Sequence, residues 1–243
     1  ILTITFTNKA ADEMRTRIAA LTSARGLTVC TFHAFCARTL RAFGDLLGVN
    51  PQFIIYDEAD SHRAVRQALE VLGLDPTRWN PAAIAGAISL AKNALRSPSQ
   101  LAQAAGDPLD VHVANVFPVY ERLLGQHNAL DFDDLLLRVA LGLKNNRRFR
   151  ETLQDRYHFI LIDEYQDAND AQYQIARAIA QQHGNICATG DPDQSIYGWR
   201  GANLQIILDF EQDFPHCRVV RLERNYRSTP QILRAADRLI RHN

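Results

Sequence analysis

Several short segments of this sequence place chemically capable residues at the ends of apolar runs. Phe159-Ile160-Leu161-Ile162-Asp163-Glu164 is an apolar run closed by two adjacent acids. Ligands of parallel α/β sheets sit beyond the carboxyl ends of the strands. An Asp in that place can hold Mg²⁺ directly or through water, and the adjacent Glu can activate a nucleophilic water. On these six residues alone, a strand running into a polar turn with two solvated acids fits equally well; the continuation Tyr165-Gln166-Asp167 sharpens the signal. A second loop, Gly190 to Ala202, packs turn formers, the amide of Gln194, the aromatics Tyr197 and Trp199, and Arg200 into one stretch. An amide can hydrogen-bond a phosphate oxygen, exposed aromatics can stack on unpaired bases, and an Arg can contact a neighbouring phosphate. Interspersed aromatics are more often core, so this loop does not decide alone. Asn225-Tyr226-Arg227-Ser228 could bring an arginine to a transferring γ-phosphate or could simply cap a helix.

Two further turns suit phosphate contacts at helix N-termini: Thr5-Phe6-Thr7-Asn8-Lys9 and Thr31-Phe32-His33-Ala34-Phe35. A lone His33 between two Phe residues is more often structural than functional. The elements that must position these groups alternate between strand and helix at both ends of the chain. Ile1–Phe6 and Thr28–Phe32 read as strands, each followed by a helical stripe: Ala10, Met14, Ile18 and Leu21, then Cys36, Leu40, Phe43 and Leu47. Phe159–Ile162, Ile186–Thr189 and Arg218–Leu222 read as further strands, with an amphipathic stretch at Tyr173–Ala180. Ser228-Thr229-Pro230-Gln231 supplies a cap, a first-turn proline and a capping-box glutamine for a final helix. Such alternation predicts an α/β fold with a parallel sheet covered on both faces.

Between Asp57 and Phe149 only helical periods are found. Asp57 or Asp60 can cap a helix carrying Val65, Leu69 and Leu72. Asn80-Pro81 starts one with Ile84, Ile88, Ala91 and Leu95, and Asp131 starts a third through Leu135, Leu136 and Val139. A helical block inside an α/β pattern predicts an inserted subdomain. Ordinary apolar content (47%) with 27 basic against 27 acidic residues excludes a disordered chain and argues against generic, charge-driven nucleic-acid binding, leaving local basic grooves open. No stretch approaches the roughly 20 apolar residues of a membrane helix, and no signal-peptide pattern opens the chain. Cys30, Cys36, Cys187 and Cys217 show no metal-ligand spacing, so free thiols in a reducing cytoplasm are expected.

In order, TFTNKAADEM (Thr5–Met14), TFHAFC (Thr31–Cys36), LDFDDLL (Leu130–Leu136), ILIDEYQD (Ile160–Asp167), GDPDQSIYGWRGA (Gly190–Ala202) and LERNYRS (Leu222–Ser228) resemble the motif series of the UvrD/Rep/PcrA family of superfamily-one DNA helicases. The resemblance covers nearly the whole chain and is weakest through the helical middle. It implies a RecA-like motor domain in residues 1–47 and 150–215, an inserted helical subdomain in 48–149, and the start of a second RecA-like domain in 216–243. It further implies ATP and Mg²⁺ as cofactors, and single-stranded DNA with a duplex junction as the partner. By the same resemblance Asp163 is the magnesium-associated acid, Glu164 the base, and Gln194 the γ-phosphate sensor. Arg227 is the arginine reaching that phosphate and Tyr226 the aromatic on adenine. Phe6, Tyr197 and Trp199 resemble base-stacking residues, and Asn8, His33 and Arg200 further strand contacts.

The family's phosphate-cradling G-x-x-x-x-G-K-[ST] loop does not occur: none of Lys9, Lys92 and Lys144 follows Gly or precedes Ser or Thr. With a first residue, Ile1, that reads as mid-strand, the chain is expected to be a fragment of an ATP-driven motor and not to hydrolyse ATP at a useful rate by itself. The rival expectations are the motor part of a helicase–nuclease and a single-strand-binding module without turnover.

Overall fold

Runs of apolar and β-branched residues favour extended backbone, and polar caps start the helices that follow. The computed structural model describes residues 1–22, 26–104, 106 and 108–242. The chain begins β1 (Leu2–Thr5), α1 (Asn8–Leu21), β2 (Thr28–Thr31), α2 (Phe32–Phe43), β3 (Ile54–Ile55). Helices α3 (Glu58–Val71), α4 (Pro81–Asn93), α5 (Pro98–Ala104) and α6 (Pro108–Gln126) follow, then β4 (Ala129–Leu130), α7 (Phe132–Asn145) and α8 (Arg147–Arg156). The remainder is β5 (Ile160–Ile162), α9 (Asp170–Ala180), β6 (Ile186–Ala188), α10 (Gln205–Leu208), α11 (Phe210–Asp213) and α12 (Pro230–Ile240). None of the described helices is long and apolar enough to cross a membrane.

The fold is α/β. Four parallel strands lie in the order β2-β1-β5-β6, with Leu2 opposite Thr28 and Ile160, and Ile160 opposite Ile186. Leu2, Ile4, Cys30, Ile160 and Ile162 bury one face of the sheet in a core completed by side chains of α2, α7, α8 and α9. Successive strand residues point to opposite faces. On the other face Thr3 and Val29 are buried where α1 packs against β1 and β2, whereas Leu161 in the same row is 40% exposed. Helices thus cover one face over β1, β2 and β5, with Ile186 and Ala188 of β6 half-buried, and the other over β1 and β2.

A second core, built by α3, α4 and α6, contains Val65, Leu69, Ile84, Ile88, Val116, Phe117 and Tyr120. The two cores divide the expected helical block, because α7 and α8 pack with the sheet. At the foot of the second core a two-residue parallel ladder joins β3 to β4 (Ile54 opposite Ala129), a pairing that helical periodicity did not announce. Both acids suggested as caps for α3 are used: Asp57 accepts from the Asp60 N–H, and Asp60 accepts from that of Asp57. Asn80 and Asp131 cap α4 and α7 as expected.

Elsewhere the structure corrects the pattern. Leu72 lies at the end of α3 and is exposed, and Leu95 lies beyond α4 at φ +54°. In α1 only Ala11 is buried and Leu21 is exposed. Arg218–Leu222 is not a strand: Val219, Val220 and Leu222 are exposed, and among the described residues no ladder receives them. Thr229, not Ser228, is the N-cap of α12 and makes no side-chain capping bond, so Gln231 falls at the second helical position, out of register for a capping box.

Where the two cores meet, Lys92 is fully buried, with Glu121, Asp131 and Asp134 at 2.6, 2.7 and 2.8 Å and the Tyr120 hydroxyl also on Asp131. Burial works to lower the Lys92 ammonium, but Asp131, Asp134 and Glu121 outweigh it and hold the group well above its usual range. Removing one partner of such a cluster leaves uncompensated charge in low dielectric. Lys92→Met should therefore cost about 3–5 kcal/mol at neutral pH, measured by urea unfolding; a loss within experimental scatter would show that the carboxylates do not depend on it. Asp134 is pushed up to about 7, first by burial, against Lys92 and with Asp131 and Glu121 adding to the rise. A carboxyl raised on folding withdraws stability as pH climbs from its unfolded to its folded pKa. Asp134→Asn should therefore flatten the decline in stability between about pH 4 and pH 7, read from unfolding midpoints across that range.

Candidate nucleotide and strand site

Parallel pairing fixes where the candidate residues emerge. Thr5 lies opposite Thr31, Ile4 opposite Ile162, and Ile162 opposite Ala188. The carboxyl ends of β1, β2, β5 and β6 therefore share one edge of the sheet, and Phe6, His33, Asp163 and Thr189 all follow directly from it. The chain steps from β1 outward to β2 and returns on the other side of β1 as β5, so this edge holds a topological switch point, the usual crevice for ligands in such sheets.

At that edge the Asp163 N–H donates to the Ile4 carbonyl at 3.0 Å, extending the ladder one residue past β5. The Thr189 hydroxyl donates to Asp163 Oδ1 at 2.6 Å. Glu164 then adopts φ +55°, ψ +43°, a left-handed conformation that costs a non-glycine residue roughly 1–2 kcal/mol. The reversal turns the chain into a 3-10 turn at Tyr165–Asp167 whose first two side chains are buried, while Glu164 stays exposed. Burial and the Glu164 charge both raise the Asp167 carboxyl.

Buried Gln166 links this turn to the next loop. Its Nε2 donates to Glu164 Oε2 at 2.8 Å, and its Oε1 accepts from the Asp191 N–H at 3.1 Å. Asp191 caps the 3-10 turn Pro192–Gln194 through the Asp193 N–H, and its other oxygen accepts from Gln194 Nε2 at 2.7 Å. A continuous run of hydrogen bonds thus joins Glu164 to Gln194. The linking roles of Gln166 and Asp191 have no local sequence signal, because the two residues lie 25 positions apart; only their places inside the two motifs mark them.

Beyond Gln194 the loop carries its aromatics outward. Trp199 is 69% exposed with the Arg200 guanidinium 4.6 Å from its ring centroid, and the same guanidinium lies 5.8 Å from the Tyr197 ring. Phe6 is half-buried and edge-on to Phe32 at 5.8 Å, so its ring is held by the core on one side. Asn8 is exposed in the first turn of α1, which Thr7 caps through the Ala10 N–H. His33 sits in the first turn of α2, edge-on to Phe132 at 5.9 Å, and burial pushes its imidazole below the ordinary value. Phe132 is 49% exposed beside it and was not singled out from sequence; a large apolar residue directly after the Asp131 cap was the available signal.

Arg227 and Tyr226 are not brought to this edge. Both are exposed; Asn225 Oδ1 accepts from the Arg227 and Ser228 N–H groups, and the Arg224 guanidinium covers the Tyr226 ring at 5.0 Å. Among the described residues neither side chain touches the Asp163–Gln194 group.

Residues 1–215 match the family model described as the UvrD/REP helicase N-terminal domain. The chain belongs to the UvrD/REP helicase family. Over its whole length it is 42% identical to proteins named ATP-dependent DNA helicase PcrA from Staphylococcus epidermidis and Bacillus subtilis, and 44% identical to the one from Leuconostoc citreum. It covers 34%, 33% and 33% of those proteins, so it spans about a third of the length of the curated relatives it matches. In this family member the closest packing at the site is at Gly190, where a Cβ would lie 2.6 Å from Gln166 Oε1 and 2.8 Å from Ile207 Cδ1. Gly190→Ala should displace the Gln166 amide from Glu164 and Asp191 and lower stability by about 1–3 kcal/mol. Unfolding in urea reads the loss, and an unchanged midpoint would show that this contact relaxes freely.

Proposed function

We propose that this chain is the N-terminal part of an ATP-dependent DNA helicase, in which the sheet edge holds the terminal phosphates of ATP and the Tyr197–Arg200 loop grips single-stranded DNA. The observation that carries the reading is the hydrogen-bonded run Glu164–Gln166–Asp191–Gln194, which ends three residues before Tyr197. Gln194 Nε2 gives one of its two hydrogens to Asp191, so drawing the amide onto a phosphate would pull on that bond, and the same short loop carries the aromatics.

The residues present fit Mg²⁺ of the kind that travels with a nucleotide. Asp163 offers a half-buried carboxylate with Oδ1 oriented by Thr189. No cluster of three or more His, Cys, Asp or Glu side chains able to cage a metal exists among the described residues. Mg²⁺ commonly takes one or two carboxylates and completes its shell with water and phosphate oxygens. Asp163 would hold it, and the ion when bound would neutralise charge on the terminal phosphates. Glu164 would accept the proton of the attacking water, with Gln166 fixing its carboxylate, and Gln194 would donate its amide to the γ-phosphate. Arg227 and Tyr226 would complete the site from the phosphate and adenine sides once their segment closes over it.

The strand would run along Phe6, Asn8, His33, Phe132, Tyr197, Trp199 and Arg200, with the duplex junction toward the helices of the second core. In this reading residues 1–47 and 150–215 belong to a RecA-like motor domain and 216–243 begin a second. Because α7 and α8 pack into the sheet's core, the motor domain would extend beyond those bounds to the β3–β4 ladder, which would bound the insertion. A motor of this kind would work in the cytoplasm, and the chain by itself, without a phosphate-cradling loop, would not turn ATP over.

Trp199→Ala in the 243-residue chain should weaken binding of an oligothymidylate by roughly 5- to 150-fold, the worth of one base stack. In the full-length protein Glu164→Gln should bind ATP normally while strand-stimulated phosphate release falls by two or more orders of magnitude, the scale of a lost general base. Unchanged strand affinity in the first variant, or retained turnover in the second, would sink the assignment.

A further inference from the structure

The C-terminal turn of α4 presents two consecutive polar side chains to different parts of the molecule. Lys92 ties α4 to α6 and α7 through its three carboxylates. Asn93, 6% exposed, faces the motor side. Its Nδ2 donates to Asp133 Oδ1 at 3.0 Å, with Ser89 Oγ at 3.4 Å, and its Oδ1 accepts from Asn169 Nδ2 at 2.8 Å. Asn169 is the N-cap of α9, two residues after Asp167 closes the turn that bears Glu164 and Gln166.

The strand-side loop reaches the same point. Asn203 donates its N–H to the Ala168 carbonyl and its Nδ2 to Asp170 Oδ1, both at 2.9 Å, which pins the far end of that loop to the start of α9. Gly201, at φ +85°, lies against α4: a Cβ there would sit 3.6 Å from Asn93 Cβ and from Leu90 Cδ2. Asp133, the third member, adjoins Phe132 beside His33. One buried amide therefore touches the α9 cap, two residues past the acid-bearing turn, and the start of α7 directly, and the platform loop by packing. Its orientation is fixed, because a flipped amide would aim its NH₂ at the Asn169 NH₂ and its oxygen at the Asp133 carboxylate.

We infer that Asn93 is the positioning residue that couples the acid turn and the strand-gripping loop to the helical core of α3, α4 and α6. The inference rests on the function proposed above. A two-way hydrogen bond in a dry site moves as a unit with its partners, since leaving either side unpaired is penalised. Displacement of the Tyr197–Arg200 loop by a bound strand thus reaches α4 through Gly201 and through the α9 cap, and Lys92 carries it on to α6.

Amide hydrogen exchange of the 243-residue chain, with and without an oligothymidylate, tests this. In the unaltered chain the strand should slow exchange at residues 195–203 and also in α3 and α4. In Asn93→Asp, which sets two carboxylates face to face, slowing at 195–203 should persist while that in α3 and α4 falls at least threefold. The double variant N93D/D133N exchanges amide and carboxylate across the same contact and should restore it. A purely structural Asn93 would instead speed exchange in the strand-free variant and leave the strand-dependent difference in α3 and α4 intact, overturning the inference. Should Asn93→Asp fail to fold, Asn203→Ala removes the side-chain half of the tie between the loop and α9 without touching the helical core and should lessen the same strand-dependent difference. Strand-dependent slowing at 195–203 with none in α3 and α4 of the unaltered chain would refute the coupling while sparing the strand site. No slowing at 195–203 would refute the strand site and the coupling with it.

Discussion

Parallel pairing is the constraint from which the rest of this molecule follows. In a parallel sheet all strands finish on the same side, so whatever sequence follows each strand becomes a neighbour of whatever follows the others. That alone brings Phe6, His33, Asp163 and Thr189 together, although more than 150 positions separate the first from the last. The price is that every connection must cross a face of the sheet, and α2, α7, α8 and α9 fill one of those faces with apolar side chains. Rigidity at the edge is thus inherited from the core below: Asp163 holds its place because its own N–H continues the ladder onto Ile4.

The buried charged side chains among the described residues, Lys92, Asp131 and Asp134, all lie where two packing units meet. The sheet's core and the α3–α4–α6 core are each apolar inside. Between them lie Lys92, Asn93, Asp131, Asp133, Asp134 and Asn169, nearly all partnered through side chains. Such contacts add little net stability compared with apolar packing of equal volume, but they tolerate few alternative arrangements. Glu164 follows the same logic on a smaller scale, since its left-handed backbone is maintained by buried Tyr165 and Gln166 on its C-terminal side.

Local signals were read well where the physics is local. Asp57 with Asp60, Asn80 with Pro81, and Asp131 with Asp134 act within one helical turn, and each starts the helix it was expected to start. Strands β1, β2, β5 and β6 were equally plain, being short apolar runs bounded by polar turns. Arg218–Leu222 has the same composition but no neighbouring edge, because a strand is a property of pairs and its partner cannot be read from its own residues. Within the site, Asp163, Glu164, Gln194, Tyr197 and Trp199 stood out by type and motif, whereas Gln166 and Asp191 matter through bonds to each other across 25 positions. Lys92 was the least legible: periodicity says nothing of a lysine at the end of an apolar stripe, and only the carboxylates of two other helices explain its burial.

The two-residue ladder between β3 and β4 has a consequence of its own. By pairing Ile54 with Ala129 it staples the way in and the way out of the second core about one strand spacing apart. Once two ends are held together, the entropy of closing the intervening chain grows only slowly with its length. The framework of the four-stranded sheet is therefore nearly indifferent to how many residues lie between those ends. Sequence between Tyr56 and Asn128 can lengthen, shrink or be replaced over evolutionary time without disturbing the sheet edge that carries Asp163, provided the staple, the buried lysine with its partners and the Asn93 contacts survive.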